Sequence, residues 1–408
     1  MPTMTALSVM TRRTMPAAAI TLAALLGGCD FKVTNPGPLL DEDLNNASAI
    51  PALVNGMGGD LSSAIGSYLT RGSLAALELR HSGNFAAERR FAAGTIGPED
   101  VNGDWARMHT ARYVAEAGLE RMKSVLGTAF ETNASTPRAY LYAGFANRFL
   151  GENVCNAVYD GGPALPNSSH FVRAESLFTR ALTIARALRN TTLTNAALAG
   201  RAQVYADQGK WTEAAADAAL VPTTFRHNAI FSLNTTRENI DLAAQTITRR
   251  EVTVWNTVWV ADRDPRVLYD TVKTGSTITK GQDGATNFFR QKKYLTLGDP
   301  VALAKGTEML LIRAEAALRA NDLTNAMLFI NQGRTAASLT PLTATTIDAA
   351  YVHLMRERGA VLWLEGRRLF DLKRWLAEGR NTTLQGRSTC VPISLEERGA
   401  NPNVSGAP

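Results

Sequence analysis

The sequence predicts a mostly α protein, a tetratricopeptide-like scaffold of repeated helices that carries long loop-rich inserts and a few short strands. Three observations support this. Two segments match at a constant offset of 112: Ala202, Tyr205, Gly209, Trp211, Ala214 and Ala218 against Ala314, Ala317, Asn321, Leu323, Ala326 and Ile330. Each reads as helix, short turn, helix, with small residues where two helices approach closely, and such units stack to bury one another's apolar faces. Residues 345–375 carry Ile347, Ala350, Tyr351, Leu354, Met355, Val361, Leu362 and Leu364 at helical spacing. Residues 222–300, between the two repeats, change to glycine, threonine and alternating β-formers, which marks loop with short strands.

The amino terminus is read apart from the fold. Arg12 and Arg13 precede an apolar run over 17–26 that is broken only by Thr21, and Leu26-Gly27-Gly28-Cys29 closes it. This is a signal peptide over 1–28, since so short a run does not span a bilayer of about 30 Å. Leu-Gly-Gly-Cys resembles the lipobox of bacterial lipoproteins, which implies acylation at Cys29 and a protein anchored to a membrane without crossing it. Of the three cysteines, lipidation of Cys29 leaves Cys155 and Cys390 as an even pair in an oxidising compartment, so a disulfide between them is expected. Neither has a cysteine or histidine at ligand spacing, so no metal is expected. Loss of residues 1–28 removes Arg12 and Arg13 and lowers the net charge from +6 to +4. That excess is spread along the chain with no basic block among aromatics, so nucleic-acid binding is not supported.

Residues 29–40, with Asn35, Pro36, Gly37 and Pro38, form a tether, and 41–408 a single domain. Asp41 opens a helical pattern that continues to Leu69, with a weak point at Gly58-Gly59. Residues 80–104 then break up around Gly83, Gly94, Gly97 and Gly103 into a polar loop with aromatics nearby. Aromatic faces stack on sugar rings while Asn, Asp and Arg satisfy hydroxyls, so Asn84, Arg89, Asp104 and Trp105 are candidate glycan contacts. Trp105 also fits the start of the next helix as a core residue. Helical patterns follow over 110–126, 137–150 and 171–188, and a right-handed helical scaffold is the expected product.

Loops on a rigid scaffold are where binding usually resides. In the insert the aromatic candidates for ligand contact are Trp255, Trp259, Phe288, Phe289 and Tyr294. Asp264-Pro265-Arg266 reads as a turn with an ion pair. Near the C-terminus, Arg356, Glu357, Arg358, Glu365, Arg367, Arg368, Asp371 and Arg374 crowd between large apolar groups such as Trp363, Phe370 and Trp375. Charges so placed are half-buried and need partners, which makes the stretch an ion-paired helix corner turning at Gly366. An acid/base role for Glu365 and Asp371 is disfavoured, because flanking arginines hold both ionised.

R-E-R-G-A-V-L-W-L-E-G-R-R-L-F-D-L-K-R-W resembles the C-terminal signature of the RagB/SusD family of nutrient-uptake outer-membrane lipoproteins. Arg356, Arg358, Leu362, Glu365, Gly366, Arg368, Asp371, Leu372, Arg374 and Trp375 fall on the family pattern R-x-R-x-x-x-L-x-x-E-G-x-R-x-x-D-L-x-R-W. The closing segment, with Pro392-Ile393 before a polar turn and Asn401-Pro402-Asn403, is similar as well. The resemblance implies a surface-exposed, lipid-anchored outer-membrane protein that binds an oligosaccharide or similar nutrient and passes it to a SusC-like TonB-dependent transporter barrel. No cofactor is implied. The five histidines are scattered, and no H-E-x-x-H, no G-x-S-x-G elbow and no glycine-rich phosphate loop occurs, so the chain does not read as an enzyme. A tetratricopeptide-type lipoprotein scaffold of an envelope-assembly complex is the alternative. It leaves the insert and the C-terminal signature unexplained.

Overall fold

The structure is a computed structural model that describes residues 44–404 and 406. The leader over 1–28, Cys29, the tether over 29–40 and the helical start expected at Asp41 lie outside the described residues. A 3-10 turn, Ala47–Ala49, is initiated by the Asn46 side chain, which accepts the Ala49 N–H at 3.0 Å. Helix α1 (Ile50–Ala75) follows, with Pro51 in its first turn, where the missing N–H breaks no hydrogen bond. It runs uninterrupted through Gly58-Gly59, against the weak point expected there. Gly58 serves close approach: a Cβ on it would lie 2.8 Å from the Tyr142 ring.

Residues 80–104 are more ordered than their glycines suggest. After β1 (Arg80–His81) comes α2 (Ala86–Ala93), ended by Gly94 at φ 75°, and then a 3-10 turn, Pro98–Asp100. The good helix formers in Ala-Ala-Glu-Arg-Arg outweigh the flanking glycines, and Gly94 acts as the stop. The scaffold continues with α3 (Asn102–Leu126), α4 (Thr136–Asn153), β2 (Asn156–Ala157), β3 (Leu165–Pro166), α5 (Ser168–Ala187), α6 (Thr191–Asp207) and α7 (Trp211–Ala219). Neighbours in sequence are neighbours in space: α3 lies on α1 and α4, α4 on α5, α5 on α6 and α6 on α7.

The insert contributes β4 (Arg226–Ala229), α8 (Asp241–Ile247), β5 (Val252–Thr253), α9 (Val258–Asp262), β6 (Tyr269–Thr271), β7 (Lys273–Thr274), β8 (Thr277–Ile278) and β9 (Phe289–Gln291), and β10 (Val301–Lys305) follows it. The alternation of β-formers over 252–260 does not make one strand. Asn256 adopts φ 58°, and the chain turns into α9. Among the described residues the named strands pair antiparallel in twos: β1 with β5, β4 with β10, β2 with β3, β6 with β9 and β7 with β8.

The second repeat is α10 (Gly306–Arg319) and α11 (Leu323–Ala336). Its turn residue Asn321 has φ 60°, and Gly209, the equivalent position in the first repeat, has φ 75°. Both tolerate the left-handed conformation, which is why glycine and asparagine alternate there. Helix α7 packs on α10, so the two repeats stack directly. With α12 (Ile347–Val361) they bury Leu311, Ala314, Leu318, Ala326, Ile330, Ala350, Tyr351 and Leu354 together.

Between α12 and α13 (Arg368–Ala377) the chain turns sharply, with Leu364 at φ 56° and Gly366 at φ 73°. The charges of this corner are buried or half-buried, and each has a partner. Glu365 accepts from Lys293 and Lys305, each at 2.6 Å. Burial alone would push its carboxyl up, but the two ammonium groups override that and hold it below the usual range. Asp371 sits between Arg358 at 2.9 Å and Arg374 at 3.0 Å, and they likewise overcome burial to hold it low. Arg374 also grips Glu315, whose carboxylate receives the Trp375 indole N–H at 3.4 Å. Arg367 joins Glu152 at 3.0 Å and Glu308 at 2.8 Å. Arg356 pairs with Asp262 at 3.1 Å, and Arg368 donates to the Met355 carbonyl at 2.8 Å. Asp264 and Arg266 form a turn with an ion pair of 2.7 Å, and Arg266 reaches on to Glu357 at 2.6 Å.

Two long-range ties close the fold. Glu78, buried after α1, accepts the Leu364 N–H at 3.1 Å. Cys155 and Cys390 form a disulfide, beside which Val154 and Val391 make a parallel bridge. Past α14 (Leu395–Ala400), the Asn401 and Asn403 amides donate to the carbonyls of Gly162 at 3.0 Å and Gly161 at 2.8 Å.

Glu365→Ala leaves two buried ammonium groups without their shared carboxylate, and urea unfolding is expected to show a loss of about 3–5 kcal/mol. Glu78 makes a test of pH dependence. Burial raises its carboxyl from 4.5 to about 7, so ionising it penalises the folded state progressively between those values and fully above them. The stability of Glu78→Gln relative to wild type should therefore rise by about 3 kcal/mol between about pH 4.5 and about pH 8. A constant difference across that range would contradict the assignment.

Candidate functional site

The expected ligand contacts separate into buried and exposed sets. Trp105, Trp259, Phe288 and Tyr294 are only 3%, 2%, 2% and 1% exposed. They are core residues, because a ring without a solvent face has none to offer a sugar. Trp105 lies against His109, with ring centroids 4.4 Å apart. Trp259 fills the space left by Gly359, where a Cβ would come within 2.6 Å of its ring. The Tyr294 hydroxyl donates to the Leu364 carbonyl at 2.8 Å and so belongs to the corner. Phe288 pairs with Thr279 through its backbone. Phe289, on β9, stacks on Tyr269 with centroids 5.9 Å apart. Trp255 is half-buried beside the Asn256 turn. Asn84 and Arg89 are exposed, and Asn84 donates its N–H to Glu251 at 2.9 Å.

Asn84 and Arg89 bracket the segment that matters more. Phe85 through Glu88 form one wall of an open cleft of about 650 Å³. Its other walls come from α1 (Ser63, Ser67, Arg71), α3 (Asp104, Arg107), residues 236–239 and α8 with Arg249. Phe85 is 42% exposed, and the Arg249 guanidinium lies 5.8 Å from its ring centroid. The cleft is therefore polar, with one aromatic face turned outward.

Its inner end is fixed by a hydrogen-bonded array. Arg71 holds Glu88 at 3.0 Å and Asp104 at 2.6 Å. Asp241 accepts from Thr70 at 3.1 Å and from the Gln245 amide at 3.0 and 3.3 Å. Burial pushes the Asp104 and Asp241 carboxyls up. Gln245 is 6% exposed, and its Oε1 has no hydrogen-bond partner among the described residues. That oxygen is itself buried, so the groups the cleft presents to a ligand are those of its exposed residues. Apart from Asp104 and the neighbours of Phe85, these residues carry no sequence signal, because they come together only when α1, α2, α3 and α8 meet.

A second concavity of about 870 Å³ lies along the repeats. Its lining includes Ala316 of α10 and Ala320 just after it, with Trp211 and Phe329. Arg319 lies 4.5 Å over the Trp211 ring and Arg313 lies 4.0 Å over the Phe329 ring. Among the described residues no group of three histidine, cysteine, aspartate or glutamate side chains is arranged to hold a metal ion, and no helix is long and apolar enough to cross a membrane.

Residues 238–404 match the SusD family. No curated protein sequence matches the chain. A SusD superfamily protein from Bacteroides vulgatus ATCC 8482 superposes with a TM-score of 0.66 at 16% identity, covering 87% of this chain and 97% of that one. A SusD-like carbohydrate binding protein from the same strain gives 0.63 at 16% identity, covering 81% and 83%. A laminarin binding SusD-like protein gives 0.62 at 14% identity, covering 86% and 97%. At these identities the likeness speaks for the fold.

Substitutions should sort the aromatics by role. Phe85→Ala is expected to leave unfolding free energy within about 0.5 kcal/mol of wild type, as an exposed side chain does. Trp259→Ala should lose about 3–5 kcal/mol through the cavity beside Gly359. Equal losses for the two would mean that Phe85 is a packing residue.

Proposed function

We propose a nutrient-binding role for this chain, which is a member of the RagB/SusD family: it holds an oligosaccharide in the cleft beside Phe85 and passes it to a SusC-like, TonB-dependent transporter barrel. The observation that carries the reading is the composition of the cleft. A pyranose has an apolar C–H face and a belt of hydroxyls, and the cleft offers an exposed aromatic ring with guanidinium, hydroxyl and amide groups around it. Its size suits a small ligand, since such sites run to about 300–1,000 Å³. Two proteins of the same fold, a carbohydrate binding one and a laminarin binding one, point the same way.

The ligand is bound and not broken. Asp104 is tied to Arg71, and Asp241 is tied to Thr70 and Gln245, so neither is free to act as a hydrolytic pair. In this reading Cys29 is the lipid anchor, which holds the protein at the cell outer membrane without a span. The groove along the repeats, with Trp211 and Phe329, is the face offered to the barrel.

Two measurements test this. Against a panel of soluble polysaccharides in affinity electrophoresis, the wild type should be retarded by at least one, and Phe85→Ala should weaken that binding about tenfold, or about 1.4 kcal/mol. A tagged, lipidated protein drawn from detergent-solubilised outer membrane should bring down a TonB-dependent barrel in near-equal amount. No retardation by any glycan would overturn the ligand, and recovery of envelope-assembly components without a barrel would overturn the partner.

A further inference from the structure

The cleft's charges are unevenly satisfied. The carboxylates that line it are already engaged, Glu88 and Asp104 by Arg71 and Asp241 by Thr70 and Gln245, and Arg237 is paired with Asp60. Glu88 and Asp104 are buried and Asp241 is half-buried, so the negative groups sit at the back. The cations at the rim are not engaged in the same way. Arg107 and Arg249 are exposed, and among the described residues neither forms a hydrogen bond or an ion pair with a carboxylate. Arg249 lies instead against the Phe85 ring.

A guanidinium is a planar fork of N–H donors that matches a carboxylate or a sulfate in two parallel hydrogen bonds. Both forks line the same cleft as the exposed Phe85 ring, and one of them, Arg249, lies against that ring. A neutral sugar would use the ring and leave both forks without an anionic partner. We infer that the ligand of this cleft is an anionic oligosaccharide. Its carboxylate or sulfate groups meet Arg107 and Arg249 at the rim, and one sugar ring lies against Phe85. This rests on the cleft being the glycan site, and it names the class of glycan.

The test uses paired probes that differ in charge: oligogalacturonate with its methyl ester, and dextran sulfate with dextran. Binding is measured by calorimetry on the full mature chain. The acidic member of at least one pair should bind at least about ten times more tightly, and added salt should weaken it, since rim charges are screened. Arg107→Ala/Arg249→Ala should remove that preference while leaving the melting temperature unchanged. Arg186→Ala/Lys273→Ala removes the same charge from exposed positions that do not line the cleft and should keep the preference. Equal binding within both pairs, abolished by Phe85→Ala, would overturn the inference and leave the glycan site standing. Loss of the preference in both double variants alike would also overturn it, as general attraction to a basic chain. No binding of any probe, or of any neutral glycan, would overturn the site together with the inference.

Discussion

One carboxylate holds the two halves of the architecture together. Glu365 sits in the corner between the last two long helices, and its partners are Lys293 from the insert and Lys305 at the end of β10. Neither lysine could be buried alone, and neither could the carboxylate, so the three enter the core together or not at all. Their alignment sets where the insert lies against the corner. The Tyr294 hydroxyl and Glu78 then bond both polar groups of Leu364, one at its carbonyl and one at its N–H. The insert also supplies α8, and with it Asp241, Gln245 and Arg249 on the cleft. A site with exposed side chains at its rim is thereby mounted on a backbone pinned by buried charge.

The corner was legible in the sequence for a simple reason. Eight charges among large apolar residues have few arrangements that do not bury a lone ion, so type and spacing carry the answer. The repeat was legible too, because Gly209 and Asn321 share a backbone requirement as well as an offset. The aromatics of the insert were not. A run of β-formers indicates an extended chain but does not say which face meets the core, and Asn256 redirects the chain so that Trp259 points inward against Gly359. Helix α2 was hidden by its own ends, since the glycines that stop a short helix look like those of a loop.

The cleft lies further from sequence reasoning than either. Its walls come from residues 63–71, 85–88, 104–107 and 236–249, and no spacing rule joins them. What the sequence did offer was a polar stretch with aromatics between 80 and 105. The exposed member of that group is Phe85, and Trp105, in the first turn of α3, went to the core, where it lies against His109.

The tie between Glu78 and Leu364 spans 286 residues of chain, and the contact of Arg387 with the Ala92 carbonyl spans 295. A ribosome working at about 5–20 residues per second needs on the order of 15 to 60 seconds to make such a stretch. For that time α1 has its early neighbours α3 and α4 but not the corner that covers Leu69 and receives Glu78. The opening third of this protein is thus obliged to wait, partly dressed, for its own far end. The waiting surface is apolar with a buried acid at its edge, which is the kind of surface that a holding chaperone protects from aggregation.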